Sequence, residues 1–192
     1  MGLEAECFRE NWYNNFVDNL TKIEMQLETP YGWNEFDPLR KEIAQCLLSG
    51  LYLAAVTSTN LLVELFLKVI LIYQDAPTAT SYCNAEVERF KDPVDEYSSN
   101  FLYDNVINAL KKGLIKEKEK EQIEEWKNKF RNPFSHADVK KIFDRYPSMI
   151  GLVGFRLVPQ SKKDAFEYFI AVDKLIRDVI SRNFKEHPGT GR

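Results

Sequence analysis

Apolar residues recur at intervals of three and four through most of the chain, the spacing of one face of an α-helix. Phe8, Trp12, Phe16, Leu20, Ile23 and Leu27 form such a stripe and predict a helix over about residues 3–28, ended by Pro30, Gly32 and Asn34. Asp37-Pro38 offers an N-cap and a proline at the first helical position, so a second helix should start there and run toward Ser49-Gly50. From Leu51 to Tyr73 the run is apolar nearly all round, the mark of a helix buried between others. Residues 75–100 are polar, with Pro77, Pro93 and Ser98-Ser99-Asn100, and predict a long connection with at most a short helix around 85–90. Helical signals resume at Phe101, and Gly113 follows Lys111-Lys112 as a C-cap.

The next helix should begin near Lys116 and bury Ile123, Trp126 and Phe130. Pro133 has no N–H to donate and crowds the preceding turn, which predicts a kink or restart at Asn132. A further helical run reaches Tyr146-Pro147, and residues 149–159 mix glycines with β-branched residues, suiting a short extended excursion. Ser161-Lys162-Lys163-Asp164 resembles a capping box, opening a last amphipathic helix that carries Phe166, Phe169, Val172, Leu175, Ile176, Val179 and Ile180. The expected fold class is therefore all-α: a four-helix-type core in one domain over residues 1–186. Residues 1–36 form an N-terminal helical extension and 187–192 a flexible tail. The helix within residues 47–72 should be packed by those carrying 101–110, 123–130 and 166–180.

Composition supports a packed core, since 44% hydrophobic and 13% aromatic residues in 192 exclude a disordered chain. Cys7, Cys46 and Cys83 are odd in number and widely spaced, which suggests neither a disulfide framework nor a zinc site and fits a reducing, cytoplasmic setting. The first residues carry acids where a signal peptide carries bases. No charge falls between Glu42 and Glu64, long enough to test as a membrane span, but Gln45, Ser49, Gly50, Thr57, Ser58, Thr59 and Asn60 interrupt it. Buried core helices explain that window better than a membrane. Charge is uneven: residues 1–110 carry 7 basic and 17 acidic side chains, and residues 111–145 carry 11 and 7. The basic stretch points to a phosphate-bearing partner, while a solvated helix face accounts for many of its lysines.

That stretch also holds one of only two histidines, His136, five residues after Arg131. An imidazole with an ordinary pKa of about 6.5 exchanges protons at neutral pH, and an arginine beside it stabilises an anion. On an unbroken helix, positions five apart diverge by about 140°. A break at Pro133, or a second copy of the motif from a symmetric partner, would let them converge. Glu64 and Lys68, four apart, are either a self-satisfied pair or supply an orienting carboxylate in Glu64. Asn132 suits capping the restarted helix and orienting reactants equally. No phosphate-cradling glycine loop, nucleophile elbow or metal-ligand spacing occurs, so no metal or cofactor is expected.

Arg131-Asn132, three residues and His136 resemble the R-x4-6-H signature of the HEPN superfamily, with its polar residue after the arginine. Leu102 to Ile115 and the run from Ala54 to Lys68 resemble its upstream segments, so the likeness covers roughly residues 38 to 180. It implies a HEPN-like up-and-down bundle, a homodimer with facing motifs, and metal-independent cleavage of single-stranded RNA through its own 2′-hydroxyl. In that reading Arg131, Asn132 and His136 are catalytic, and Lys127, Lys129 and Lys140 contact RNA. Glu64 and Asp138 are candidate orienting carboxylates, and the setting is defence or toxin–antitoxin, with an antitoxin or other protein partner. Asp138 stands where the toxins paired with a nucleotidyltransferase have tyrosine. The alternatives are a catalytically silent module that binds nucleotide, RNA or protein, and a plain helical bundle.

Overall fold

The structure, a computed structural model, describes residues 2–76, 83–132 and 159–184. Seven α-helices account for almost all of it: α1 (Gly2–Glu28), α2 (Asp37–Leu48), α3 (Tyr52–Asp75), α4 (Cys83–Ser98), α5 (Leu102–Lys111), α6 (Glu117–Trp126) and α7 (Pro159–Asn183). A π-helical turn, Lys127–Arg131, continues α6. The described residues contain no strand, and the fold is an all-α bundle. The expected helix near 139–147, the C-terminal tail and the extended excursion over 149–159 lie outside the described residues, except Pro159, which is the first residue of α7.

α3 is the hub, touched by α2, α4, α5, α7 and the π turn. Its nearly all-round apolar sequence is what such a position requires, because each flank meets a different helix. Val56, Leu62, Phe66, Leu67 and Ile70 are buried completely. The helix is long and apolar enough to cross a membrane by length and composition, yet 61% of its most apolar window is buried inside the protein. α1 lies along α2 and α7, with Ile23 buried and Leu27 packed against the core.

Two helix ends follow the predicted chemistry. At the end of α5, Gly113 N–H donates to Leu110 O at 2.9 Å and Leu114 N–H to Ala109 O at 2.9 Å. This double bond pattern needs a left-handed residue, and Gly113 supplies φ +72°. Gly50, at φ +75°, ends α2 in the same way, with bonds to Leu47 O and from Leu51 N–H to Cys46 O.

Four local expectations need correction. Most of the long connection over 75–100 is a 16-residue helix, α4. Pro93 sits inside it and is buried, and the spacing of Val87, Phe90, Val94 and Tyr97 is helical despite the proline. One such residue removes a single backbone bond, and Phe90 packing edge-on to Tyr73 (5.1 Å) and Tyr97 buried beneath hold the helix regardless. Asp37 is the first residue of α2 rather than its cap; its carboxylate accepts the N–H groups of Tyr31 (3.0 Å) and Gly32 (3.2 Å) and so stabilises the preceding turn. α7 starts at Pro159, which puts Ser161 and Asp164 inside the helix as buried groups. The Glu64–Lys68 pair does not form: Lys68 donates to Ser98 O at 2.6 Å, joining α3 to the end of α4.

The turn between α1 and α2, expected only to end a helix, is itself core. Trp33 and Phe36 are fully buried and stacked at 5.3 Å, and Trp33 meets Tyr73 and Phe184 edge-on. Tyr31 lies between the guanidinium groups of Arg40 and Arg177, 5.3 and 5.0 Å from its ring. Arg177 in turn binds Asp173 at 2.7 Å and donates to Thr29 O, which clasps the turn onto α7.

Candidate functional site

The irregular turn before Pro133 is where the candidate arginine is placed. A break was expected at Asn132, but Asn132 keeps helical angles (φ −59°, ψ −45°) and donates its N–H to Lys127 O, five residues back. The ladder therefore widens over Lys127–Arg131, one turn ahead of the proline. The sequence places a proline immediately after Asn132, and a residue that lacks an N–H for the regular helical bond favours irregularity in the turn before it. Widening the turn re-aims the side chains that follow it while Trp126 and Phe130 both stay in the core.

Beneath the turn is an aromatic and polar floor. Phe130 stacks on Tyr168 of α7 at 4.3 Å and 17°, and Trp126 meets the same ring at 5.5 Å. The Tyr168 hydroxyl donates to Asn60 Oδ1 at 2.9 Å. Burial pushes the Tyr168 phenol well above its ordinary range, the nearby Glu64 carboxylate adds to this, and Arg131 opposes it. Tyr168 is thus a neutral hydrogen-bond donor, unsuited to proton transfer at neutral pH.

Above this floor, Arg131 Nε donates to Glu64 Oε1, joining the π turn to α3. The two side chains are 21% and 28% exposed, so the pair is anchored on one side and open to solvent on the other. Glu64 takes the proximal nitrogen, and the terminal nitrogens make no hydrogen bond to any described residue. Glu64 fixes the position of the guanidinium, whose planar fork of donors has the geometry that matches two oxygens of an anion. Asn132 Nδ2 reaches Asn128 Oδ1 at 3.4 Å on the exposed side of the turn. Lys127 Nζ lies over the Tyr103 ring at 5.5 Å, and Lys129 Nζ over Phe130 at 5.0 Å.

The structure thus brings Glu64, Arg131, Lys127, Lys129 and Asn132 to one region of the surface. His136, Asp138 and Lys140 lie outside the described residues. Asn60 and Tyr168 were missed in the sequence. The available signal was that Asn60 stands one helical turn before Glu64 on α3 and interrupts an apolar run. Tyr168 carried none, being one aromatic among several on α7. Cys46 is a free thiol, and burial together with Glu42 raises its pKa, the opposite of nucleophile activation. No group of three or more His, Cys, Asp or Glu side chains among the described residues is placed to hold a metal ion. Comparison of the chain with protein-family models, curated proteins and solved structures returned no match.

Proposed function

We propose that this protein is a metal-independent endoribonuclease of HEPN type that cuts single-stranded RNA, acting as a homodimer in a defence or toxin–antitoxin setting. The observation that carries the reading is the Arg131 guanidinium, bound through Nε to Glu64 and partly exposed at the surface. In the proposed reaction His136 accepts the proton of the RNA 2′-hydroxyl, and the 2′-oxygen attacks the adjacent phosphorus. The bond to the 5′-oxygen breaks, that oxygen takes up a proton, and a 2′,3′-cyclic phosphate remains. Arg131 stabilises the charge that grows on the phosphoryl oxygens, and a preorganised donor of this kind contributes about 10²- to 10³-fold. A placed histidine contributes about 10²- to 10⁴-fold. Glu64 fixes the guanidinium, Asn132 and Asp138 orient groups around it, and Lys127, Lys129 and Lys140 bind neighbouring phosphates.

The test is cleavage of labelled single-stranded RNA in EDTA by purified protein. Wild type is expected to cut RNA and spare DNA, which lacks the attacking hydroxyl. His136→Ala and Arg131→Ala should each abolish cutting. Undiminished cutting by His136→Ala removes the mechanism. Inactivity of folded wild type on varied RNAs favours the silent binding module.

A further inference from the structure

Two large aromatic side chains stand out of the surface at the start of α5, where Tyr103 lies under Lys127 of the Arg131 turn. Phe101, which precedes α5, is 76% exposed, and Tyr103, in its first turn, is 53% exposed. Leaving such rings in water forgoes the burial that fixes most aromatic residues of this chain. Their surroundings are tied together by a closed circuit of contacts. Arg131 binds Glu64; one turn along α3, Lys68 donates to Ser98 O, three residues before Phe101; Tyr103 lies under Lys127; and Lys127 is one turn before Arg131. The start of α5, the middle of α3 and the π turn therefore meet in one surface patch. It presents two exposed rings with Arg131, Lys127 and Lys68 in the same circuit of contacts; of its carboxylates, Glu64 is engaged by Arg131 and Asp104, beside Tyr103, is exposed. Lys127 makes no ion pair among the described residues.

We infer that Phe101 and Tyr103 form a stacking platform for unpaired bases of a single-stranded nucleic acid whose backbone is held by Lys127 and Arg131. This rests on the reading of Arg131 as a phosphate site and adds the feature that receives the neighbouring bases. The combination is what single-strand binding requires: flat apolar faces for any base, with cations spaced along the backbone. A strand phosphate at Lys127 leaves the Tyr103 face free to accept a base in place of the lysine. The exposed apolar residues of α1, Tyr13, Val17 and Met25, have different neighbours, with Asp18, Glu24 and Glu28 on the same helix. Among residues 13–28 of α1, Lys22 is the one cation against these acids, whereas Tyr103 lies under Lys127 close to Arg131, so the platform is assigned to α5.

Both rings lie outside the core, so their removal leaves the fold intact, which circular dichroism and melting verify. Fluorescence anisotropy on a labelled 12-nucleotide single-stranded DNA avoids cleavage, and a fully abasic strand of equal length has the same backbone charge. Each base–ring stack is worth roughly 5- to 150-fold in affinity. Wild type should therefore prefer the strand with bases by about tenfold or more. Phe101→Ala/Tyr103→Ala should abolish that preference, and Tyr103→Phe should keep it. Equal binding of both strands by wild type, no binding of either, or an undiminished preference in the double variant overturns the inference. Loss of self-association in the double variant with base preference unchanged marks a protein interface instead and also overturns it. Because the probe cannot be cut, the two readings separate: an intact preference with no RNA cleavage retains the platform and removes the ribonuclease.

Discussion

Arg131 shows how much of a side chain's chemistry is set by a single distant partner. Glu64, 67 residues away, accepts from its Nε and ties the π turn to α3. Because the pair is partly open to solvent, Glu64→Gln should cost only about 0–1 kcal/mol of stability in urea unfolding. Cleavage, if it uses a held guanidinium, should fall more than tenfold, a separation of effects that marks a positioning residue. Tyr168→Phe acts oppositely. Removing the hydroxyl leaves the buried Asn60 Oδ1 unpaired and should cost about 1–3 kcal/mol, measured by the same unfolding. Tyr168, Tyr31 and Tyr97 share a raised phenol pKa, caused first by burial and then by neighbouring carboxylates: Glu64, Asp173 and Asp75 respectively. A phenol that keeps its proton longer in the folded state contributes stability that is fully present below its unfolded pKa of about 10. That contribution is lost as pH rises toward the folded value. In an alkaline titration, the last part of the tyrosinate absorbance should therefore appear together with the loss of helical circular dichroism, not before it.

Helix ends and junctions carry the next layer of specification. Gly113 can be tested alone, because a Cβ built there meets nothing within 4 Å while φ is +72°. Gly113→Ala should cost about 1 kcal/mol from backbone strain, and Gly113→Asn less, by thermal unfolding. Asp75, at the end of α3, holds two neighbours at once: Lys112 donates to it at 2.7 Å, and the Tyr97 hydroxyl donates to its other oxygen. Burial alone would raise its pKa, but these hydrogen bonds and the Lys112 charge hold it below the usual carboxylate range. Its stabilisation is present above an unfolded pKa of about 3.9 and disappears as pH falls through the folded value. Asp75→Asn should therefore speed amide exchange in α4 and flatten the acid limb of stability. The π turn differs from these junctions in origin. The sequence announces a disruption at Asn132 through the proline that follows it, and the irregularity among the described residues is the widened turn over Lys127–Arg131.

In the molecule as a whole, α3 is enclosed by its neighbours, and the candidate chemistry sits where α3, α5 and the π turn meet. Proposed pairing of two motifs in a homodimer requires an interface of roughly 1,200 Å² or more in total around the motif. Light scattering at tens-of-micromolar concentration is expected to report a dimer, and a monomer at that concentration removes the two-motif arrangement. The acidic N-terminal part and the basic 111–145 stretch, with 11 basic against 7 acidic side chains, should also make association and RNA binding weaken with salt.

Periodicity alone determined the helical class, the buried hub and the buried face Ile123, Trp126 and Phe130, because burial repeats along a helix every three or four residues whatever it packs against. Gly50 and Gly113 were equally legible, since left-handed helix ends select glycine locally. Partner choice was not. Glu64 had Lys68 in reach along its own helix, yet the fold gave it Arg131 and sent Lys68 to the end of α4. Pro93 signalled a break, yet the helix continues through it with Phe90 and Tyr97 packed on the core side, and the break expected at Asn132 is replaced by a widened turn over Lys127–Arg131. Trp33 and Phe36 looked like part of a turn until neighbouring helices enclosed them. Local sequence fixes conformations whose energies are local, whereas ion pairs, aromatic stacks and exposed faces depend on which distant elements are brought together, and only the packed bundle decides that.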